Sequence, residues 1–183
     1  MNRWVILDRD GVINRDSPDY VKSLAEWQPL PGSITAIAQL SRAGFGVVVA
    51  TNQSGVGRGL IAPLALAAMH TELVRLVARE GGSIAGIFYC PHAPEDGCSC
   101  RKPRIGLFAA IARRFTIDLR GQPAVGDSLR DIEAAEAAGC QPLLVRTGNG
   151  RITETRLAAE GPRPVPVYDD LAAVAAALLE TTP

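Results

Sequence analysis

Short apolar runs and helix-spaced apolar positions alternate along this chain. Uninterrupted apolar stretches at 4–7 (WVIL), 45–50 (FGVVVA), 84–89 (IAGIFY), 123–126 (PAVG) and 142–145 (PLLV) have strand length and predict five buried strands. Between them the apolar positions recur at helical spacing. They predict a helix over 33–42, with apolar residues at 34, 37, 38 and 40, and others over 63–79, 104–115, 128–138 and 169–180. Pro63 suits a first helical turn, and Gly44 and Gly139 suit the position just past a helix end. Such alternation predicts an α/β fold: a parallel sheet with helices on both faces, three layers in all. No internal repeat breaks the pattern. The segment GPRPVP at 161–166 reads as a stiff turn inside a single domain, because only seventeen residues follow it.

Two connections are too long to be simple. About twenty residues (11–32) separate the first strand from the first helix, and about fourteen (90–103) separate the third strand from its helix. Long loops in compact α/β domains are usually functional. Both leave the carboxyl end of a strand, the edge where open α/β sheets bind ligands.

Composition narrows the classes. The 183 residues are 47% hydrophobic and 21% charged, which excludes a disordered chain. Nineteen basic residues balance nineteen acidic ones, so neither nucleic acid nor an anionic membrane is an expected partner. The longest apolar run, 171–179, is nine residues, against the ~20 of a membrane span. The first residues lack a long apolar stretch and a small-residue cleavage site, so they are not expected to be a secretory signal. A cytoplasmic monomer acting on a small molecule is the expectation. Seventeen of the basic residues are Arg and two, Lys22 and Lys102, are Lys; the histidines are His70 and His92.

The candidate chemistry sits at the strand ends. Asp8 and Asp10 follow the first strand in DRDG, and residues two apart in an extended segment point the same way. Two close carboxylates repel, and a divalent cation such as Mg²⁺ offsets that. Asp and Gly also favour plain turns. Asp127 follows the fourth strand in GDSLRD, which a parallel sheet places at the same edge. Thr51 opens TNQSGVGRG after the second strand, offering a hydroxyl and small-residue N–H groups suited to phosphate oxygens. Lys102 follows the third strand and its loop. A compact ammonium suits a phosphoryl group, although most lysines are simply solvated.

In order and strand context, Asp8/Asp10, Thr51, Lys102 and Asp127 resemble the haloacid dehalogenase superfamily of phosphohydrolases, over roughly residues 4–146. The fold implied is a Rossmann-like sheet without a large cap domain. The resemblance implies that Asp8 is a nucleophile forming an aspartyl-phosphate, and that Asp10 protonates the leaving alcohol and then deprotonates water. Mg²⁺ would be held by Asp8, the Asp10 backbone carbonyl and Asp127. Thr51, Asn52 and Lys102 would hold phosphoryl oxygens. Asp131 would support the site, orienting Lys102 or reaching a metal-bound water. Val12 stands where the superfamily more often has Thr.

The sharpest local pattern is CPHAPEDGCSC at 90–100. Cys90, His92, Cys98 and Cys100 supply four ligands within eleven residues, a closed Cys3His set suited to structural Zn²⁺. Unrelated thiols or a disulfide in an oxidising compartment are the alternatives. Zinc would fix a loop with little apolar content, and with it the entry of Arg101 and Lys102 into the cleft. Cys140 reads as a small core residue and His70 as a packing or surface residue.

This loop, in a chain with that motif set, resembles the branch holding heptose-bisphosphate and histidinol-phosphate phosphatases. TNQSGVGRG at 51–59 and the flap NRDSPDYV at 14–21, which carries an added residue near 17–19, resemble the heptose type. Asp16, Asp19, Tyr20, Gln53, Ser54, Arg58, Arg101 and Ser128 are the candidate substrate contacts. The acidic flap residues would also suit a cationic histidinol substrate. From another class, a zinc-stabilised module that merely binds a phospho-ligand is a second reading. Metal-dependent turnover of a generic phosphate ester separates it from an enzyme, as would transfer to an acceptor other than water for a phosphotransferase.

Overall fold

Six parallel strands form one sheet in the computed structural model, which describes residues 3–159 and 165–180. They are β1 (Arg3–Leu7), β2 (Phe45–Asn52), β3 (Gly86–Cys90), β4 (Pro123–Gly126), β5 (Gln141–Val145) and β6 (Val167–Tyr168), in the order β3-β2-β1-β4-β5-β6. The order reverses direction at β1, so the crevice between β1 and β4 is the expected ligand site.

Period-two alternation along the strands divides the core. Val5, Leu7, Val47, Val49, Val125 and Val145 face one side, with the helices α1 (Ser33–Arg42), α3 (Pro63–Arg79) and α7 (Leu171–Glu180). Ile6, Val48, Ala50 and Ala124 face the other, with α4 (Gly106–Phe115) and α5 (Leu129–Ala137). The three-layer α/β arrangement is the one the alternation predicts. Pro63 opens α3, and Gly44 and Gly139 take positive φ just past α1 and α5. Cys140 is buried in the second core cluster. Among the described residues no helix is long and apolar enough to cross a membrane.

Four elements were not anticipated, one of them a single 3-10 turn at Pro94–Asp96 in the loop after β3. The run after β2 is a one-turn helix, α2 (Ser54–Gly57), rather than an open Gly-rich loop. Its glycines permit close packing: a Cβ on Gly57 would lie 2.7 Å from the Pro91 carbonyl oxygen. A further helix, α6 (Gly150–Ala159), covers β5, and its buried face carries Gly150, Thr153 and Leu157, too few apolar positions to register as a periodicity. β6 is only two residues long. The stiff turn expected over 161–166 precedes it in sequence, and 161–164 lie outside the described residues.

The two long connections are anchored differently. The flap at 11–32 drives Val12, Ile13, Val21 and Trp27 into the main core, and Ser33 Oγ donates to Ile13 O at 2.7 Å. The loop after β3 holds on through Cys90, the last strand residue, which is fully buried.

Candidate active site

Parallel pairing sets Asp8, Thr51, Asn52, Cys90 and Asp127 at one sheet edge. Asp8 follows β1 directly and its N–H bonds Val125 O at 2.9 Å, which ties the β1 end to β4. Lys102 enters from the β3 loop. Its Nζ lies 3.0 Å from Asp8 Oδ1 and 2.6 Å from Asp131 Oδ1, and it donates to Ala50 O at 2.7 Å. A lysine this buried is stable as a cation only because these oxygens replace water. Burial alone would lower its pKa, but the charges of Asp131 and Asp8 outweigh burial and raise it.

Asn52 fixes where that lysine enters. Its Oδ1 accepts from Lys102 N at 3.0 Å and its Nδ2 donates to Lys102 O at 3.1 Å. The Asn52 side chain therefore grips the backbone of Lys102, and Asn52 also lines the cleft where a phosphate contact is expected of it. Gln53 likewise turns inward. Its amide nitrogen donates to Asp10 Oδ2 at 2.7 Å and to Thr51 Oγ1 at 2.9 Å, and Arg9 Nη2 donates to its oxygen at 3.2 Å. Thr51 Oγ1 accepts from Gln53, so its own proton remains free for a ligand oxygen.

The Asp10 carboxylate is held apart from Asp8 by three groups. Arg9 Nη2 lies 2.8 Å from Oδ1 and 3.0 Å from Oδ2, Asn14 Nδ2 donates at 2.8 Å, and Gln53 completes the set. Arg9, which the sequence reading passed over, is 1% exposed and also reaches His70 Nε2 at 3.4 Å. Burial, and then the Arg9 charge, lower the His70 pKa from 6.5 to about 4. The signal for Arg9 was its place between two acids at a strand end.

Carboxylate oxygens of Asp8, Asp127 and Asp131 lie within 4.8 Å of one another. Burial, with the charges of Asp8 and Asp131, pushes Asp127 up to about 8. Burial outweighs the Lys102 charge and raises Asp8 to about 6. Asp127 Oδ2 accepts from the Asn149 N–H at 2.8 Å, while Oδ1 is buried with no hydrogen-bond partner. An orphaned carboxylate oxygen beside two further acids fits a hard divalent cation. The space is kept by glycines: a Cβ on Gly11 would lie 2.1 Å from Asp127 Oδ2, and one on Gly148 2.2 Å. The Asp10 side chain is outside this acidic cluster; its expected metal contact was the backbone carbonyl. Asp131 accepts from Ser128 N at 3.1 Å and from Ser128 Oγ. The Ser128 hydroxyl thus donates to Asp131, which in turn lies against Lys102, one of the two roles expected of that acid.

Above Asp8 lies a cleft of about 250 Å³. Asp16, Tyr20, Gln53, Ser54 and Arg101 line it, together with Thr51 and Asn52. Tyr20 takes a positive φ of 66° to reach it. Asp19 instead lines the outer side of the flap with Lys22 and Glu26, and exposed Arg58 meets Glu95 at 3.5 Å. Sequence reasoning also missed Arg130, which lines the cleft from α5, and Asn149, whose side chain donates to Asp16 at 3.1 Å and to Asp127 at 3.2 Å. Asn149 sits in a G-N-G run after β5, and a Gly-flanked polar residue at a strand end was the available cue.

Beside this edge the four loop ligands converge. Cys90 Sγ is 3.5 Å from Cys98 Sγ and 3.2 Å from Cys100 Sγ, and Cys98 and Cys100 are 3.5 Å apart. His92 Nδ1 is 3.2 Å from Cys100 Sγ and 3.6 Å from Cys90 Sγ. A tetrahedral zinc with ~2.3 Å bonds to sulfur has edges of roughly 3.8 Å, so four donors at these separations fit that ion. All four cysteines are free thiols.

The HAD-hydrolase-like family model matches residues 99–174. The D-glycero-beta-D-manno-heptose-1,7-bisphosphate 7-phosphatase of Bordetella bronchiseptica is 56% identical over 97% of this chain and 98% of its own. That of Pseudomonas aeruginosa is 54% identical over 96% and 97%. The crystal structure of the B. bronchiseptica D,D-heptose 1,7-bisphosphate phosphatase, complexed with magnesium and phosphate, superimposes with a TM-score of 0.91 over 97% of this chain and 98% of that one. With the acids, the hydroxyl and the lysine assembled at one edge, and relatives this similar over nearly the whole chain, the protein is a phosphoric monoester hydrolase of the haloacid dehalogenase superfamily and belongs to the family of the heptose-1,7-bisphosphate 7-phosphatases.

Proposed function

We propose that the chain removes the 7-phosphate of D-glycero-β-D-manno-heptose 1,7-bisphosphate, in the supply of nucleotide-activated heptose for surface glycans. The observation that carries this reading is the union of the Asp8–Lys102–Asp131 centre with a polar, uncapped cleft, in a chain more than half identical to β-heptose enzymes.

Asp8 and Asp127 would hold Mg²⁺ with the Asp10 carbonyl, which supplies charge neutralisation at the phosphoryl oxygens and lets Asp8 remain ionised. An Asp8 carboxylate oxygen attacks phosphorus and the bond to the sugar C7 oxygen breaks, giving an aspartyl-phosphate. Asp10 gives its proton to the departing alkoxide. It then takes a proton from the water that attacks the aspartyl-phosphate, releasing inorganic phosphate and regenerating the Asp8 carboxylate. Lys102 and Thr51 stabilise the charge that develops on the equatorial oxygens. Arg9, Asn14 and Gln53 keep Asp10 beside this path. Cys90, His92, Cys98 and Cys100 would hold Zn²⁺, which fixes the loop that delivers Arg101 and Lys102. The reading includes action as a cytoplasmic monomer on a small molecule.

The test is a comparison of kcat/KM with Mg²⁺ on the β-anomer of the heptose bisphosphate, on its α-anomer and on histidinol phosphate. The β-bisphosphate is expected to lead by at least ~10-fold; a lead for histidinol phosphate would overturn the substrate assignment.

A further inference from the structure

We propose that Arg130, in the first turn of α5, is a specificity-determining residue that binds the phosphate not being hydrolysed, together with Arg101. The proposal rests on the bisphosphate reading above and deepens it.

Arg130 and Arg101 come from different elements and line the same cleft. The other arginines near carboxylates have settled on them: Arg9 on Asp10, Arg146 on Glu154 and Asp169, Arg120 on Asp118. Arg130 has not. It is exposed, and among the described residues its guanidinium forms no hydrogen bond or close ion pair, although it stands in the field of Asp131, Asp8, Asp127 and Asp16. Arg101 is almost as free, with one weak 3.5 Å contact to His92 O. Two guanidiniums so lightly engaged, lining a cleft that also holds Asp8 and Thr51, suit a second anionic oxygen set.

Ser128 strengthens the assignment. It stands next to Asp127, but its hydroxyl is used on Asp131, so the first turn of α5 offers the ligand Arg130 instead. The same pair of charges disfavours a cationic amine at the mouth, which discriminates against histidinol phosphate.

The experiment measures kcat/KM for the β-heptose 1,7-bisphosphate and for the heptose 7-monophosphate, in the wild type, Arg130→Gln and Arg130→Lys. The Gln variant is expected to lose about ten-fold or more in efficiency on the bisphosphate beyond its loss on the monophosphate, chiefly through KM, with partial recovery in the Lys variant. Equal losses on both substrates would make Arg130 a source of field for the acidic cluster and overturn the proposal. If the wild type hydrolyses neither heptose ester while turning over another phosphate monoester, the bisphosphate reading fails and the proposal with it. A wild type active on the bisphosphate separates the two failures.

Discussion

The phosphoryl centre and the cysteine loop sit side by side at one sheet edge, yet they are held by opposite means. Asp8, Thr51 and Asp127 stand at the ends of strands whose side chains fill both cores, and Lys102 is clamped by Asn52 and three oxygens. The 90–100 segment has Cys90 in the core, but most of its remaining residues are polar and at least partly exposed. Apart from Ala93, Cys98 and Cys100 it offers the core little, and the four side chains that could hold a metal converge there instead. Rigid packing places the Asp8 carboxylate, whereas in the proposed function a bound metal would place the polar loop beside it. Asn52 joins the two regions, since it pairs with Cys90 across the β2–β3 register and grips Lys102 with its side chain.

The largest effect should come from the packed side. Asp8→Asn is expected to lower kcat at least ~10³-fold in steady-state assays while near-ultraviolet circular dichroism remains native, because the nucleophile is lost and the strand is not. Lys102→Met comes next. It leaves Asp8 and Asp131 buried beside each other without their counter-charge, and urea unfolding of the metal-free protein should report a loss of about 3–5 kcal/mol. A loss under 1 kcal/mol would mean that the lysine does not hold the acids in place.

On the other side, Cys98→Ser should lose zinc, read by elemental analysis, and with it ~10–100-fold in activity, although no ligand touches substrate. Full activity in a zinc-free variant would break the contrast between the two regions. The smallest effect concerns His70. The unfolded chain gains a proton near pH 6.5 that the folded His70 refuses until about pH 4. Stability from this group is therefore present above pH 6.5 and falls as the pH drops toward 4, by of order 2 kcal/mol for a partly exposed ring. His70→Gln should flatten the wild-type loss across that window in urea titrations.

The contrast also explains what was legible in the sequence. Strand-end acids, the lysine and the cysteine spacing are local signals, each readable next to its own apolar run. The partners that finish the site are not local. Arg9 and Gln53 meet only because β1 and β2 pair, and the Asn149–Asp127 contact spans 22 positions. Helix α6 stayed hidden because it buries Thr153, whose hydroxyl donates to Asp127 O at 2.8 Å, where an apolar residue would have shown the period. Ser128 and Asn52 read as ligand contacts because polar residues beside a candidate catalytic acid invite that reading; their bonds to Asp131 and Lys102 could not be read from the sequence, since the fold sets those partners in place.

The most direct test of the account is to identify the residue that carries phosphate during turnover. The wild-type protein is mixed with Mg²⁺ and β-heptose 1,7-bisphosphate, quenched in acid within the first turnover, digested and sequenced by mass spectrometry. The account predicts a phosphorylated peptide modified at Asp8, absent from Asp8→Asn. Phosphate on another residue during productive turnover would contradict it.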